Sequence, residues 1–320
     1  MNYTVLLTAP YMIPFVDRFK SVFDRYEIEL IVPEVKERME ENDLLKYAGQ
    51  FDGAICGDDR FTARVIEACV PRLKVISKWG TGIDSIDVMT CSRYEIKIGR
   101  TLNAFTLPVA DTVLGYILAF ARRQPWMDRE IKSGRWEKIP GRSLAECTLG
   151  VIGVGNIGKA VTLRAKAFGM KVFGNDIIEI DPNFITDTEI EMTDLQSLLY
   201  QSDFVSINCD LNPTSHHLMN LDTFARMKPN AILINTARGP IVDEKVLVSA
   251  LQNGQIAGAA LDVFEHEPLP LDSPLLKMDN VMLAPHNSNS SPAAWEKVHW
   301  NTIKNLVEGL GLKYEEERNG

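Results

Sequence analysis

The chain is 320 residues long, 45% hydrophobic and 24% charged, with a net charge of −9. This length suits two domains with cores of their own, the acidic balance argues against nucleic acid as a main partner, and no apolar run reaches the roughly 18 residues of a membrane span. Five cysteines, Cys56, Cys69, Cys91, Cys147 and Cys209, show no CxxC spacing; they read as reduced, small apolar residues of a cytoplasmic protein without a metal centre.

The first residues, Met1–Thr8, read as a strand, because they lack the basic start and cleavage site of a signal peptide. Strands are expected at Val5–Leu7, Glu29–Val32, Gly53–Cys56 and Leu73–Ser77, with helices over Pro14–Tyr26, Val35–Ala48 and Thr62–Ala68. Such alternation predicts a parallel sheet covered by helices. A long amphipathic helix follows over Leu107–Arg123, with Pro108 near its start, where a missing N–H breaks no helical bond.

The stretch Gly153-Val154-Gly155-Asn156-Ile157-Gly158 comes after an apolar strand beginning at Thr148 and before a helix-forming run, Lys159–Phe168. A second strand, Lys171–Asn175, ends at Asp176. Strand, glycine turn, helix, strand and acid in this order suit a dinucleotide cofactor. Gly153 permits the tight turn, Gly155 lets backbone approach a pyrophosphate, and Gly158 allows close helix–strand packing. The helix N-terminus offers free N–H groups to the phosphates, and Asp176 is placed to bind the ribose hydroxyls. Ile177, Ile178 and Glu179 bring no cation for a 2′-phosphate, so NAD is expected rather than NADP.

Beyond this motif come four near-continuous apolar runs, Phe204–Asn208, Ala231–Asn235, Gly258–Val263 and Asn280–Ala284, the pattern of strands buried on both faces. A last helix is expected from about Ser290 to Gly309. The cofactor domain is thus expected inside another α/β domain, leaving a cleft beyond the carboxyl ends of the strands. Arg238, Glu267 and His286 each follow one of these strands. An arginine can hold a 2-oxo acid in its planar fork. A histidine can give a proton to the carbonyl oxygen, and a carboxylate beside it fixes its tautomer and favours the imidazolium. Of the other histidines, His216 and His217 lie in a polar loop and read as exposed, His266 sits inside a loop, and His299 reads as a packing or surface residue.

The chain resembles the D-isomer-specific 2-hydroxyacid dehydrogenases over nearly its whole length. The likeness is carried by Lys78-Trp-Gly-Thr-Gly-Ile-Asp-Ser-Ile-Asp, Val109-Ala-Asp-Thr, the glycine motif, Asp210-Leu-Asn-Pro-Thr, Asn235-Thr-Ala-Arg-Gly, Ala260-Leu-Asp-Val-Phe-Glu-His-Glu-Pro and Pro285-His. The resemblance implies two doubly wound α/β domains: a Rossmann NAD-binding domain, here residues 102–288, inserted into a flavodoxin-like substrate domain, residues 1–101 and 289–320. It implies a homodimer made through the cofactor domains, with Leu107–Arg123 contributing. It places Arg238, Glu267 and His286 in the roles just given. It adds an anion-binding loop at Gly80, Thr81 and Gly82, with Lys78 beside it, for the substrate carboxylate. Asp262 is expected to hold the nicotinamide carboxamide, and Cys209, Thr236 and Ala237 to line the cofactor.

The substrate is less constrained. Lys78 and Arg60 supply cations, but Asp58 and Asp59 would oppose a phosphate. A small unphosphorylated 2-oxo acid such as glyoxylate or hydroxypyruvate is therefore expected, with D-3-phosphoglycerate as the alternative. A second alternative is an NAD-responsive binding protein of the corepressor kind, since fold alone does not guarantee turnover. The aromatics Trp79, Phe105, Trp126, Trp136, Trp295 and Trp300 could shape a wide cleft, but read mainly as core or interface residues.

Overall fold

The computed structural model describes residues 2–315; the last residues of the acidic tail lie outside it. The chain divides into two compact units. Residues up to Phe105 and from Ser291 onward form the first, and Thr106–Ser290 the second.

The first unit is built on β1 (Tyr3–Leu7), β2 (Ile28–Ile31), β3 (Gly53–Cys56), β4 (Val75–Lys78) and β5 (Lys97–Gly99), all parallel. Their spatial order, β2-β1-β3-β4-β5, is the flavodoxin-like order. The helix Ala63–Cys69 is capped by Thr62, whose hydroxyl accepts the Val65 N–H. Pro292–Gly309, capped by Ser291, packs on this sheet, and its Thr302 carbonyl accepts the Ser77 hydroxyl at 2.7 Å.

The second unit holds β6 (Thr148–Ile152), β7 (Lys171–Asn175), β8 (Glu191–Met192), β9 (Phe204–Ile207), β10 (Ile232–Asn235), β11 (Gly258–Leu261) and β12 (Val281–Leu283). The order β12-β11-β10-β9-β6-β7-β8, again all parallel, is the Rossmann order extended by one strand. Alternate residues of β10 serve two cores: Ile232 and Ile234 join one cluster with the Thr106–Arg122 helix, and Leu233 joins the other. Burial on both faces explains why these strands read as continuous apolar runs.

Several expectations are corrected. The helix expected over Val35–Ala48 is confined to Glu41–Leu44 with a 3-10 turn at Leu45–Tyr47. The backbone before it serves another purpose: the Met39 N–H donates to buried Asp59 at 2.6 Å and its carbonyl accepts from Arg60. The helix expected over Pro14–Tyr26 is a 3-10 stretch, Ile13–Phe19, followed by the α-helix Lys20–Arg25. Strands β5 and β8 and the helices Val88–Arg93, Pro182–Thr188 and Leu195–Gln201 had no counterpart in the sequence reading.

Candidate active site

The order of the second sheet reverses at β6 and β9, and the glycine turn lies at that switch point. Gly153 has φ +86°, and a β-carbon there would lie 2.5 Å from the Cys209 backbone nitrogen. Gly158 is pressed on the same turn; its β-carbon would stand 2.0 Å from the Gly153 carbonyl oxygen. Gly155, the N-cap of the helix Asn156–Ala167, has no atom within 4 Å of where a β-carbon would be. Two glycines therefore close the turn and the middle one faces open space.

Asp176, just beyond β7, accepts the Val154 N–H at 2.6 Å through Oδ2 and the Ile178 N–H at 3.1 Å through Oδ1. Its carboxylate is thus held over the turn. Past β9, burial pushes the Cys209 thiol up to about 11, so it is a neutral apolar lining group. Past β10, the buried Thr236 hydroxyl has no hydrogen-bond partner among the described residues. An open backbone shelf, a fixed acid and an unsatisfied hydroxyl at neighbouring strand ends suit a dinucleotide.

Three adjacent strand ends carry the polar groups of the second unit. Asn235, the last residue of β10, is 1% exposed. Its amide donates to the Arg238 carbonyl at 2.9 Å, and its Oδ1 accepts the Ala237 N–H at 3.1 Å. This shapes the turn that presents half-buried Arg238, whose guanidinium donates to the Ala237 carbonyl at 2.8 Å. Beyond β11, Glu267 Oε1 accepts the Phe264 N–H at 3.0 Å, which points the other oxygen at a histidine. Glu267 Oε2 lies 3.0 Å from His286 Nδ1. A neutral imidazole in that contact donates from Nδ1 and keeps Nε2 as the acceptor; an imidazolium offers its second proton there.

His286 adopts φ +50°. Asp262, 0% exposed, holds this strained turn: its carbonyl accepts the His286 N–H, Oδ1 the Asn287 N–H and Oδ2 the Ser288 N–H. The two loops beyond β10 and β11 touch through main chain, since a β-carbon on Gly239 would stand 1.9 Å from the Phe264 carbonyl.

In the first unit, Gly80 follows β4 with φ +128°. Thr81 donates its hydroxyl to the Thr101 carbonyl at 2.7 Å. The N–H groups of Gly80, Thr81 and Gly82 donate to no acceptor among the described residues, the property of an anion nest. Lys78 is buried beneath this loop and pairs with Asp58 at 2.8 Å. The expectation that Asp59 faces a ligand is corrected. Its carboxylate is turned inward, accepting from Thr8 Oγ1, Met39 N and Gly57 N, and burial raises its pKa. Thr8 and Gly57 stand just past β1 and β3, and Met39 lies before the helix Glu41–Leu44.

Of the other histidines, His217 departs from expectation and His299 takes the packing role expected of it. His217 is half-buried, with Nε2 2.6 Å from Glu265 Oε1, and a histidine beside another in a polar loop gave no local sign of that pairing. His299 is buried and accepts the Trp79 indole N–H at 2.9 Å; burial lowers its pKa. Trp79 packs with Tyr11, Phe105 and Trp295 as core, whereas Trp136 is 89% exposed.

Comparison with known proteins gives a consistent answer. Residues 114–288 match the family described as D-isomer specific 2-hydroxyacid dehydrogenase, NAD binding domain. A glyoxylate reductase of Thermofilum pendens is 40% identical over 83% of this chain and 80% of its own. A hydroxypyruvate reductase of Thermotoga maritima is 36% identical over 86% of this chain and 90% of its own. The D-lactate dehydrogenase of Aquifex aeolicus, solved with NAD and lactic acid, superposes with a TM-score of 0.85 at 26% identity, covering 96% of this chain and 95% of that one.

Proposed function

The chain belongs to the D-isomer specific 2-hydroxyacid dehydrogenase family, enzymes that interconvert 2-oxo and 2-hydroxy acids with NAD, and we propose that its own substrate is a small unphosphorylated 2-oxo acid, glyoxylate or hydroxypyruvate. The observation that carries the choice is the Asp58–Lys78 pair. The buried lysine is already neutralised, and the more exposed partner is the carboxylate, at 36% against 5%. A phosphate at this loop would meet an acceptor instead of a free cation. Relatives that reduce glyoxylate and hydroxypyruvate support the same class.

NADH supplies the hydride when bound. Gly153, Gly155, Asn156, Ile157 and Gly158 would hold its pyrophosphate, Asp176 the adenosine ribose, and Cys209, Thr236 and Ala237 the surface beside the nicotinamide. Asp262, 0% exposed, would act by bracing the His286 loop beside the nicotinamide. The N–H groups of Gly80, Thr81 and Gly82 would donate to the substrate carboxylate, with Lys78, paired to Asp58, beneath the loop. Arg238 would bind and polarise the 2-oxo group. His286 would give its proton to the carbonyl oxygen as carbon is reduced, and take it back in the reverse direction. Glu267 would hold the ring and stabilise its protonated form.

The outward apolar groups of the segment after Thr106, namely Leu107, Ile131 and Trp136 at 60%, 49% and 89% exposure, support a homodimer made through the second unit. Among the described residues no helix is long and apolar enough to cross a membrane. Five unpaired cysteines, four of them buried, suit a reducing cytoplasm.

The test is NADH oxidation with glyoxylate, hydroxypyruvate, pyruvate, 2-oxoglutarate and 3-phosphohydroxypyruvate. Selective turnover of either of the first two supports the reading. Preference for the phosphorylated acid would overturn the argument from Asp58, and silence across the panel with NADH still bound would favour a sensing role.

A further inference from the structure

We propose that His217 is a positioning residue that clasps the turn bearing Arg238 to the loop bearing Glu267. Its backbone and its side chain point to different partners. The His217 N–H donates to the Pro240 carbonyl at 2.9 Å, within the arginine turn. Its Nε2 sits 2.6 Å from Glu265 Oε1, within the glutamate loop. One residue therefore bridges both carriers of the acid–base and binding groups.

The surroundings hold the clasp in place. Met219 N–H donates to the Ile241 carbonyl and Asp243 N–H returns to the Met219 carbonyl, stitching the His217 segment to the arginine turn. The Glu265 N–H donates to Glu244 Oε2 at 3.2 Å. Gly239 admits the Phe264 and Glu265 backbone at a separation that no side chain would allow. His217 itself takes φ +49°, a left-handed conformation that is unfavourable for a non-glycine residue and persists where several contacts fix it.

The charged groups around the ring are few. Glu265 faces Nε2, and Asp243 Oδ2 lies 3.9 Å from Nδ1. His216 stacks on the ring at 4.1 Å. Glu244 accepts the Glu265 N–H; burial raises its carboxyl, that hydrogen bond opposes the rise, the Glu265 charge adds to it and His266 opposes it. A neutral His217 donates one hydrogen bond to Glu265. A protonated one makes that bond charge-assisted and adds attraction to Asp243.

This inference rests on the roles given above to Arg238, Glu267 and His286. The test compares His217→Asn with His217→Gln in the full-length enzyme. Asparagine tolerates left-handed backbone but is too short to reach Glu265; glutamine keeps an N–H donor at that reach. Glyoxylate reduction is followed across pH, with NADH affinity and thermal melting measured alongside. His217→Asn should lower kcat/KM about tenfold, the loss expected of one charged hydrogen bond. NADH affinity should hold, and the alkaline limb should move to lower pH as Glu267 loosens from His286. His217→Gln should recover most of the rate and the original limb. A His217→Asn enzyme with wild-type rate and pH profile overturns the clasp, whatever its melting temperature, as does a glutamine variant no better than asparagine. His286→Ala is run in parallel: full activity there overturns the underlying roles, whereas a dead His286→Ala beside an unaffected His217→Asn overturns the clasp alone.

Discussion

Asp262 grips the loop of His286 by three consecutive N–H groups: its carbonyl takes that of His286 at 2.8 Å, and its carboxylate those of Asn287 and Ser288 at 2.7 and 2.9 Å. Both carboxylate oxygens must accept, so asparagine cannot replace it; the amide would aim a donor at a donor. Asp262→Asn should destabilise the fold by about 1–3 kcal/mol, the cost of an unsatisfied buried group. It should also lower kcat, because the left-handed turn at His286 loses its brace. Urea melts and steady-state rates would read both; unchanged values of each would mean the loop holds itself.

Glu267→Gln separates orientation from charge. Glutamine keeps the size but puts one donor where the carboxylate accepts from both Phe264 and His286. Reduction should fall by roughly 10²-fold or more, and its alkaline limb should move to lower pH, since the carboxylate that favours the imidazolium is gone. Arg238→Ala and His286→Ala should cost as much while leaving NADH affinity largely intact. Full turnover in either would remove that residue from the chemistry.

The glycines make an internal control. Gly155→Ala meets no atom within 4 Å, whereas Gly158→Ala drives a methyl into the Gly153 carbonyl. Gly155→Ala should melt like the wild type yet bind NADH about tenfold more weakly, because a methyl stands where the pyrophosphate must approach. Gly158→Ala should lower the melting temperature. The reverse pattern in a calorimeter and a fluorescence titration would contradict the assignment of the turn.

Asp203 gives a prediction about acid stability. Burial alone would raise its pKa. Hydrogen bonds from Arg142, Thr148 and Lys228 outweigh that and bring it from the ordinary 3.8 down to about 2. A carboxylate depressed by folding stabilises above its unfolded value, and that contribution is lost as pH falls through the folded one. Asp203→Asn should therefore be less stable than wild type at neutral pH, and the gap should close between about pH 4 and pH 2. A gap independent of pH would show that the ion pairs contribute nothing.

The legible parts of the sequence were those whose reasons are local or periodic. The glycine turn announced itself because its glycines fall at fixed spacing between a strand and a helix, and β9 to β11 because burial on both faces leaves them almost wholly apolar, with Ser206 the one polar residue inside β9. β5, with exposed Lys97, and the two-residue β8 carry too little apolar pattern to be seen. Asp59 read as a charge facing outward because nothing nearby in sequence reveals that Thr8 and Met39 bond it. The His217–Glu265 pair was invisible for the same reason: its partners come from separate strand connections that only the folded sheet brings together.

Gly239 has one more consequence. With no β-carbon there, the arginine turn and the glutamate loop meet main chain to main chain. Main chain does not change when residues are exchanged, so the spacing of the Arg238 turn and the Glu267 loop is insulated from side-chain substitution. Asp58, just past β3, and Lys78, the last residue of β4, meet through their side chains instead. Exchanging side chains at Asp58 or Lys78 therefore leaves the main-chain contact at Gly239 untouched.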